Sequence, residues 1–356
     1  MTVVFKIGTN VLLGNKDALD LDLMQNLVKE ISKLYEQDYK IVIITSGAVA
    51  VGQAVLSKTK ISRSTAAAIG QPMLMRYYTE FFSKNNIKIA QILLSPNSFK
   101  NRERYEHLKK TLQELLDNNI IAVINENDPT VLKDTFGDND SLAAMIAVIS
   151  NAQKLVFLTD LDGLYSADPK IDKSAKIIKE VKSVDLEIQK MCSQKTSSLG
   201  RGGMLSKLKG AKLATTCGIE VYIINGSKPD NISRLLIESQ TIGTRFLSQK
   251  SELSERKKWL LIGTISQGKI IVDQGARAAL ENKNSLLAVG VRKIKGNFDK
   301  GDFVNIADSE NEIFAFGIVN YNSKELMELV GLRDKKAIRK AFSKEVVHID
   351  NLTLLK

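Results

Sequence analysis

Six short aliphatic runs alternate along the chain with longer segments of helical period: Val3 to Ile7, Ile41 to Thr45, Ile89 to Leu93, Ile121 to Ile124, Leu155 to Leu158 and Val221 to Ile224. Each run is apolar on both faces, which suits a strand sandwiched between helices and does not suit a sheet with one wet face. The intervening segments carry stripes such as Leu23, Leu27, Ile31 and Leu34, or Leu108, Leu112, Leu115 and Leu116, spaced to lie on one side of a helix. Strand and helix in alternation predict an α/β fold with an open, mostly parallel sheet covered by helices.

Nearly every predicted strand ends in small or polar residues: Lys6-Ile7-Gly8-Thr9, Ser46-Gly47-Ala48, Asn125-Glu126-Asn127-Asp128, Thr159-Asp160 and Asn225-Gly226. In an open α/β sheet, ligands bind beyond the carboxyl ends of the strands, so these five clusters are expected to line one crevice. Lys6 is the least ordinary of them. A lysine in a strand buried on both faces is costly unless it is paired, so its ammonium is expected to point into the crevice. Asp138-Asn139-Asp140 opens a predicted helix through Ser150; one acidic residue there is ordinary capping, but three adjacent polar groups exceed what a cap uses.

The richest segment is Gly200-Arg201-Gly202-Gly203-Met204-Leu205-Ser206-Lys207, leading into a helical run from Leu208 to Cys217. Glycines let backbone approach a phosphate, and the amides at a helix start attract its charge. Lys207 then falls in the first turns, within reach of transferring phosphate oxygens. Gly263 to Lys269 fits part of a P-loop, but Ile270 stands where that motif needs Ser or Thr for Mg²⁺, and no helix is predicted after it; we read it as chance. No dinucleotide fingerprint follows the first strand, and no protein-kinase catalytic loop is present. Asp162-Gly163-Leu164-Tyr165 and Asp168-Pro169 read as turns that shape a nucleotide edge.

At 356 residues the chain exceeds the roughly 250 to 300 that one core supports, so two domains are expected. The periodicity fades over residues 241–256, and a Gly-punctuated pattern of short runs follows: Lys269 to Val272, Phe303 to Ile306 and Ile313 to Val319. We divide the chain into residues 1–245, a linker at 246–256, and a small, mostly β barrel at 257–356 that closes with a basic helix around Lys335 to Phe342. The net charge of +11 is denser toward the C-terminus, which permits RNA binding without requiring it. No apolar run approaches the ~20 residues of a membrane span, and the start lacks the features of a signal peptide; a cytoplasmic protein is expected. Cys192, Cys217, His107 and His348 are too widely spaced for a zinc set, and no metal-binding residues are assigned.

Lys6-Ile7-Gly8-Thr9, Thr45-Ser46-Gly47-Ala48, Asn125-Glu126-Asn127-Asp128, Gly137-Asp138-Asn139-Asp140, Leu158-Thr159-Asp160 and Gly202-Gly203-Met204-Leu205-Ser206-Lys207 resemble, in order and approximate spacing, the glutamate 5-kinases of the amino acid kinase superfamily. Val272 to Leu280 and Gly296 to Asp302 resemble a PUA domain. The resemblance implies transfer of the ATP γ-phosphoryl group to the side-chain carboxylate of L-glutamate, the first step of proline biosynthesis. It further implies that Lys6 and Lys207 neutralise the phosphoryl group, that Asp140 orients both, and that Ser46, Asp128 and Asn139 hold glutamate. ATP is then held by Lys6, Thr159, Asp160, Arg201, Gly202, Gly203, Met204, Leu205, Ser206 and Lys207, with Mg²⁺ on its phosphates. Proline as feedback inhibitor, glutamyl phosphate reductase as pathway partner and a homo-oligomer follow from the same resemblance. Arg201 and Ser206 both stand where the family commonly has Thr. Such chemistry suits a chain without a usable histidine, because a carboxylate nucleophile is already ionised at neutral pH and needs no general base. The rival readings are a kinase for aspartate or acetylglutamate, and an RNA-binding protein acting through its tail.

Overall fold

The computed structural model describes residues 1–14, 18–56, 61–95, 97–100, 102–130, 139–169, 171–185, 188, 203–249, 253–262, 268–330 and 345–354. The chain divides into two compact units, one of residues 1–98 and 103–251, the other of residues 99–102 and 252–356.

The first unit is built on an eight-stranded sheet: β1 (Thr2–Ile7), β2 (Lys40–Ile44), β3 (Ile89–Leu94), β4 (Ile121–Glu126), β5 (Lys154–Thr159), β6 (Glu180–Val181), β7 (Glu220–Asn225) and β8 (Thr244–Phe246). Their order across the sheet is β3-β4-β2-β1-β5-β7-β8-β6. All neighbours run parallel except β7 and β8. The strands β1, β2, β4, β5 and β7 are buried nearly throughout, as parallel strands covered on both sides must be. The strand β3 departs from that expectation. It is an edge strand, and its Gln91 and Leu93 are exposed.

One face packs against helices Leu21–Tyr35 and Arg63–Ser83, whose Leu27, Ile31, Leu34, Leu74 and Phe82 meet Val3, Phe5, Ile41 and Ile43 of the strands. Asp20 caps the first of these helices by accepting from Leu23 N at 3.2 Å, and Ser62 caps the second by accepting from Thr65 N at 3.1 Å. Each satisfies one of the amides a helix start leaves open. The other face carries helices Asn139–Ile149 and Met204–Thr216, packed against each other. Residues Asp140 to Ile149 are all buried.

The stretch 241–256, unpatterned in the sequence, contributes β8 to the sheet and the start of helix Glu255–Ile262. A three-residue strand is too short to show a period. Thr244 hides it further: a polar residue with no exposed surface, it donates to Ile178 O at 2.6 Å and accepts from Leu164 N at 2.8 Å.

The second unit holds β9 (Gly268–Val272), β10 (Val291–Lys295), β11 (Phe303–Ala307), β12 (Ile313–Val319) and β13 (Val347–Leu354) in the order β10-β9-β11-β12-β13. Only β9 and β11 pair in parallel. A bridge between Leu286 and Val347 joins the approach to β10 with β13, drawing the sheet edges together over Ile270, Val272, Leu280, Ile306 and Leu326. Gly268 to Val272 is a strand rather than a helix, so the P-loop-like stretch has the wrong setting; its residues 263–267 lie outside the described residues, as does the predicted helix at Lys335 to Phe342.

Candidate active site

Strand β1 sits between β2 and β5, and the chain fills one side of the sheet before it crosses to the other. The crevice at such a switch point opens beyond the carboxyl ends of the strands, where Lys6 ends β1. Lys6 Nζ lies 2.8 Å from Asp140 Oδ1, and Lys207 Nζ lies 3.1 Å from Asp140 Oδ2. Ser206 Oγ adds a hydrogen bond to Asp140 Oδ2 at 3.2 Å. Strand β1 supplies one lysine, helix Met204–Thr216 the other, and the first turn of helix Asn139–Ile149 the carboxylate between them. Burial pushes the Asp140 carboxyl up, but the charges of Lys6 and Lys207 and their hydrogen bonds outweigh it and hold the group below the usual carboxylate range. Two ammonium groups thus converge on one buried carboxylate, where an arriving anion would meet both.

That anion has further donors nearby. Gly203 caps helix Met204–Thr216 without a side-chain acceptor, and while the amides of Ser206 and Lys207 donate to Gly203 O, those of Met204 and Leu205 precede the helix's own ladder and carry the partial positive charge of its start. Lys207 belongs to that turn.

A second polar cluster surrounds the end of β2. Gly47 has φ of +97°, a left-handed conformation that suits glycine, and it turns the chain so that Ser46 sits at the strand end. Asn139 Nδ2 reaches Thr45 O at 2.7 Å, Ser46 Oγ at 3.0 Å and Asn125 Oδ1 at 3.0 Å. Tyr78 meets Thr45 Oγ1 at 2.9 Å, and burial pushes its hydroxyl pKa up, so it stays neutral. Asp128, beyond β4, faces Arg63 Nε at 3.4 Å. At the end of β5, Thr159 Oγ1 donates to Asp160 Oδ1 at 3.0 Å and Asn10 Nδ2 to Asp160 Oδ2 at 3.2 Å.

Residues 1–225 match the amino acid kinase family, and residues 268–340 match the PUA domain. The chain belongs to the amino acid kinase family. It is 37% identical to glutamate 5-kinase of Vibrio vulnificus over 99% of this chain and 96% of that protein. It is 36% identical to glutamate 5-kinase of Dehalococcoides mccartyi over 99% of this chain and 98% of that protein. For glutamate 5-kinase of Proteus mirabilis the identity is 40%, over 93% and 91%. Among solved structures, isopentenyl phosphate kinase superposes with a TM-score of 0.51 at 18% identity, covering 69% of this chain and all of that one; this likeness supports the fold alone.

Within this amino acid kinase unit, the predicted residues fall into linked groups. Lys6, Asp140, Ser206 and Lys207 form one; Ser46 and Asn139 form another, joined to the first because Asn139 and Asp140 are adjacent. Thr159 and Asp160 bond to each other, while Asp128 makes its ion pair with Arg63. Gly203 is the helix cap, and Met204 and Leu205 begin the helix rather than the loop. Arg201 and Gly202 lie outside the described residues, as does Asp138. Sequence reasoning placed Asn125 in a strand-end cluster without a role of its own, and missed Gln71 and Arg63 as contributors. The available signal for Gln71 was one amide directly after the small, apolar stretch Ala66 to Gly70.

Proposed function

We propose that the chain transfers the γ-phosphoryl group of ATP to the side-chain carboxylate of L-glutamate, releasing ADP and glutamyl 5-phosphate. The observation that carries this reading is Asp140 holding Lys6 and Lys207 together at the carboxyl edge of the sheet. Likeness to glutamate 5-kinases along nearly the whole chain supports glutamate as the acceptor.

A carboxylate oxygen of glutamate forms a bond to the γ-phosphorus while the bond from that phosphorus to the bridging oxygen breaks, and its electron pair leaves with ADP. The nucleophile is ionised at neutral pH, so no side chain has to remove a proton. The work left to the protein is positioning and charge neutralisation. Lys6 and Lys207 offset the repulsion between two approaching anions, and Asp140 fixes their positions before the reaction begins. The amides that start helix Met204–Thr216 hold phosphate oxygens, with Gly202, Gly203, Met204, Leu205, Ser206 and Arg201 around them. Thr159 and Asp160 face the nucleotide. Ser46, Asn139 and Asp128 hold glutamate, the carboxylate of Asp128 suiting its ammonium.

Mg²⁺ supplies additional charge neutralisation on the phosphate oxygens when bound. Such an ion is held mainly by phosphates and water and needs no dedicated protein cage. Proline, the end product of such a pathway, is the proposed inhibitor, and glutamyl phosphate reductase the consumer of the product.

The test is ADP release with L-glutamate, L-aspartate and acetylglutamate in parallel, with hydroxylamine present to trap an acyl phosphate. Glutamate-dependent ADP matched by hydroxamate is the expected result. ADP release that ignores glutamate, or proceeds without hydroxamate, would reject the reaction.

A further inference from the structure

Behind the second polar cluster lies a buried relay of amides whose direction the backbone dictates. Glu126 N–H donates to Asn125 Oδ1 at 2.9 Å. A backbone N–H only donates, so this contact fixes which end of the Asn125 amide is oxygen. Asn125 Nδ2 then faces Gln71, and Gln71 must present its oxygen: the contact is 2.8 Å, Nδ2 to Oε1. On the other side, Asn125 Oδ1 accepts from Asn139 Nδ2, which also donates to the carbonyl of Thr45. A carbonyl only accepts, so the Asn139 amide is fixed by the same logic.

The consequence reaches the crevice. Ser46 Oγ, 3.0 Å from Asn139 Nδ2, accepts a share of one of that amide's two hydrogens, which the carbonyl of Thr45 and Asn125 Oδ1 also use, and this leaves the Ser46 proton uncommitted. Asn139 Oδ1, on the opposite side of its amide, is left to accept. Both Gln71 and Asn125 are buried, at 8% and 3% exposure, so the relay cannot be rewired through bulk water.

Gln71 owes its place to a close helix crossing. A Cβ on Gly70 would come within 1.9 Å of Ala48 O, so helix Arg63–Ser83 lies backbone to backbone against the helix that begins just after Ser46. Gln71 Nε2 is buried without a hydrogen-bond partner. An unpaired buried amide group is costly. Turning the Gln71 amide end for end would set two nitrogens against each other at Asn125, so the orphaned donor is kept and the oxygen stays on Asn125.

We infer that Gln71 is a positioning residue for the acceptor acid, acting through Asn125 and Asn139 to leave Ser46 as a hydrogen-bond donor and Asn139 Oδ1 as an acceptor toward a substrate bearing both a carboxylate and an ammonium group. This rests on the glutamate kinase reading, and it assigns Gln71 a role in acid binding that is separate from ATP.

The experiment measures both substrate KM values in the full chain, in Gln71→Met, in Asn125→Ala and in the double variant. Methionine keeps the length of Gln71 and removes its acceptor, so the Asn125 amide loses one of its two anchors. Gln71→Met should raise the glutamate KM by about tenfold, the size of one buried hydrogen bond lost, with the ATP KM unchanged. In the double variant the orphaned Asn125 amide is gone, so adding Gln71→Met to Asn125→Ala should change the glutamate KM no further. This comparison stands even where Gln71→Met alone proves insoluble. The inference is overturned if Gln71→Met leaves the glutamate KM at its parent value, if it raises both KM values alike, or if the two substitutions multiply. Turnover of the parent chain with glutamate tests the reaction itself, and the variants test Gln71 against that reference.

Discussion

Lys207 Nζ stands 3.1 Å from Asp140 Oδ2, close enough that the carboxylate, rather than the flexible lysine stem, decides where the ammonium group is held. A charge fixed in advance stabilises developing charge without reorganising during the reaction. Lys207→Ala is therefore expected to lower kcat by about 10² to 10³, the effect of losing one preorganised donor. The glutamate KM should move much less. Steady-state kinetics decide it: near-normal turnover with only a raised KM would remove Lys207 from the phosphoryl site.

Asp140→Asn keeps the shape of the side chain but removes the buried negative charge that Lys6 and Lys207 share. Breaking a buried ion pair from one side costs about 3–5 kcal/mol, and denaturant unfolding of parent and variant at neutral pH should show a difference of that order. The pH dependence follows from the lowered carboxyl. A group whose folded pKa is depressed contributes stability that is fully present above its unfolded value, about 3.9, and is lost as pH falls through the folded value. The gap between parent and variant should hold steady from about pH 7 to 5 and close only below about 4. A gap that begins to close above pH 5 would contradict a lowered Asp140.

The sheet could be read from the sequence because strands covered on both faces must be aliphatic throughout, so β1, β2, β4, β5 and β7 stand out as runs. Lys6 was legible for the converse reason, as a charge with no cheap place inside such a run. Its pairing with Asp140 was not visible in composition or period, since 134 positions separate the two and only the family resemblance joined them. The Gln71 relay left even less trace. Amides carry no charge to mark them as misplaced, and Gln71 meets Asn125 only because the sheet brings β4 under a helix 54 residues earlier in the chain. The strands β6 and β8, of two and three residues, fall below the length at which alternation can be recognised.

Asp128 makes a partner for an ammonium group already visible in its contact with Arg63 Nε at 3.4 Å. A group that binds glutamate equally in the ground and transition states affects KM rather than kcat. Asp128→Ala should thus raise the glutamate KM with kcat largely kept, the reverse of Lys207→Ala. Initial rates over a range of glutamate at saturating ATP give the answer, and a fall in kcat at an unchanged KM would place Asp128 in the chemical step instead.

Every residue assigned to catalysis or substrate binding lies before residue 251, inside the first compact unit, so a chain ending at Ser251 should still form glutamyl 5-phosphate. It should also be less well behaved, for a reason visible in the second unit. Residues 99–102 cluster with that unit. There Trp259 Nε1 donates to Phe99 O at 3.0 Å, Arg102 lies over the Trp259 ring at 5.7 Å, and Trp259 meets Phe303 edge-on at 5.1 Å. Truncation removes Trp259 and Phe303 and uncovers Phe99, which is buried in the full chain. The expected outcome is retained turnover, a lower unfolding temperature and a tendency to aggregate, with Phe99→Ser in the truncated chain restoring solubility. Activity assays alongside size-exclusion chromatography separate the two effects. A truncated chain that is monodisperse and folded yet inactive would show that the C-terminal unit contributes to the reaction, and the division of labour drawn from the site residues would fail.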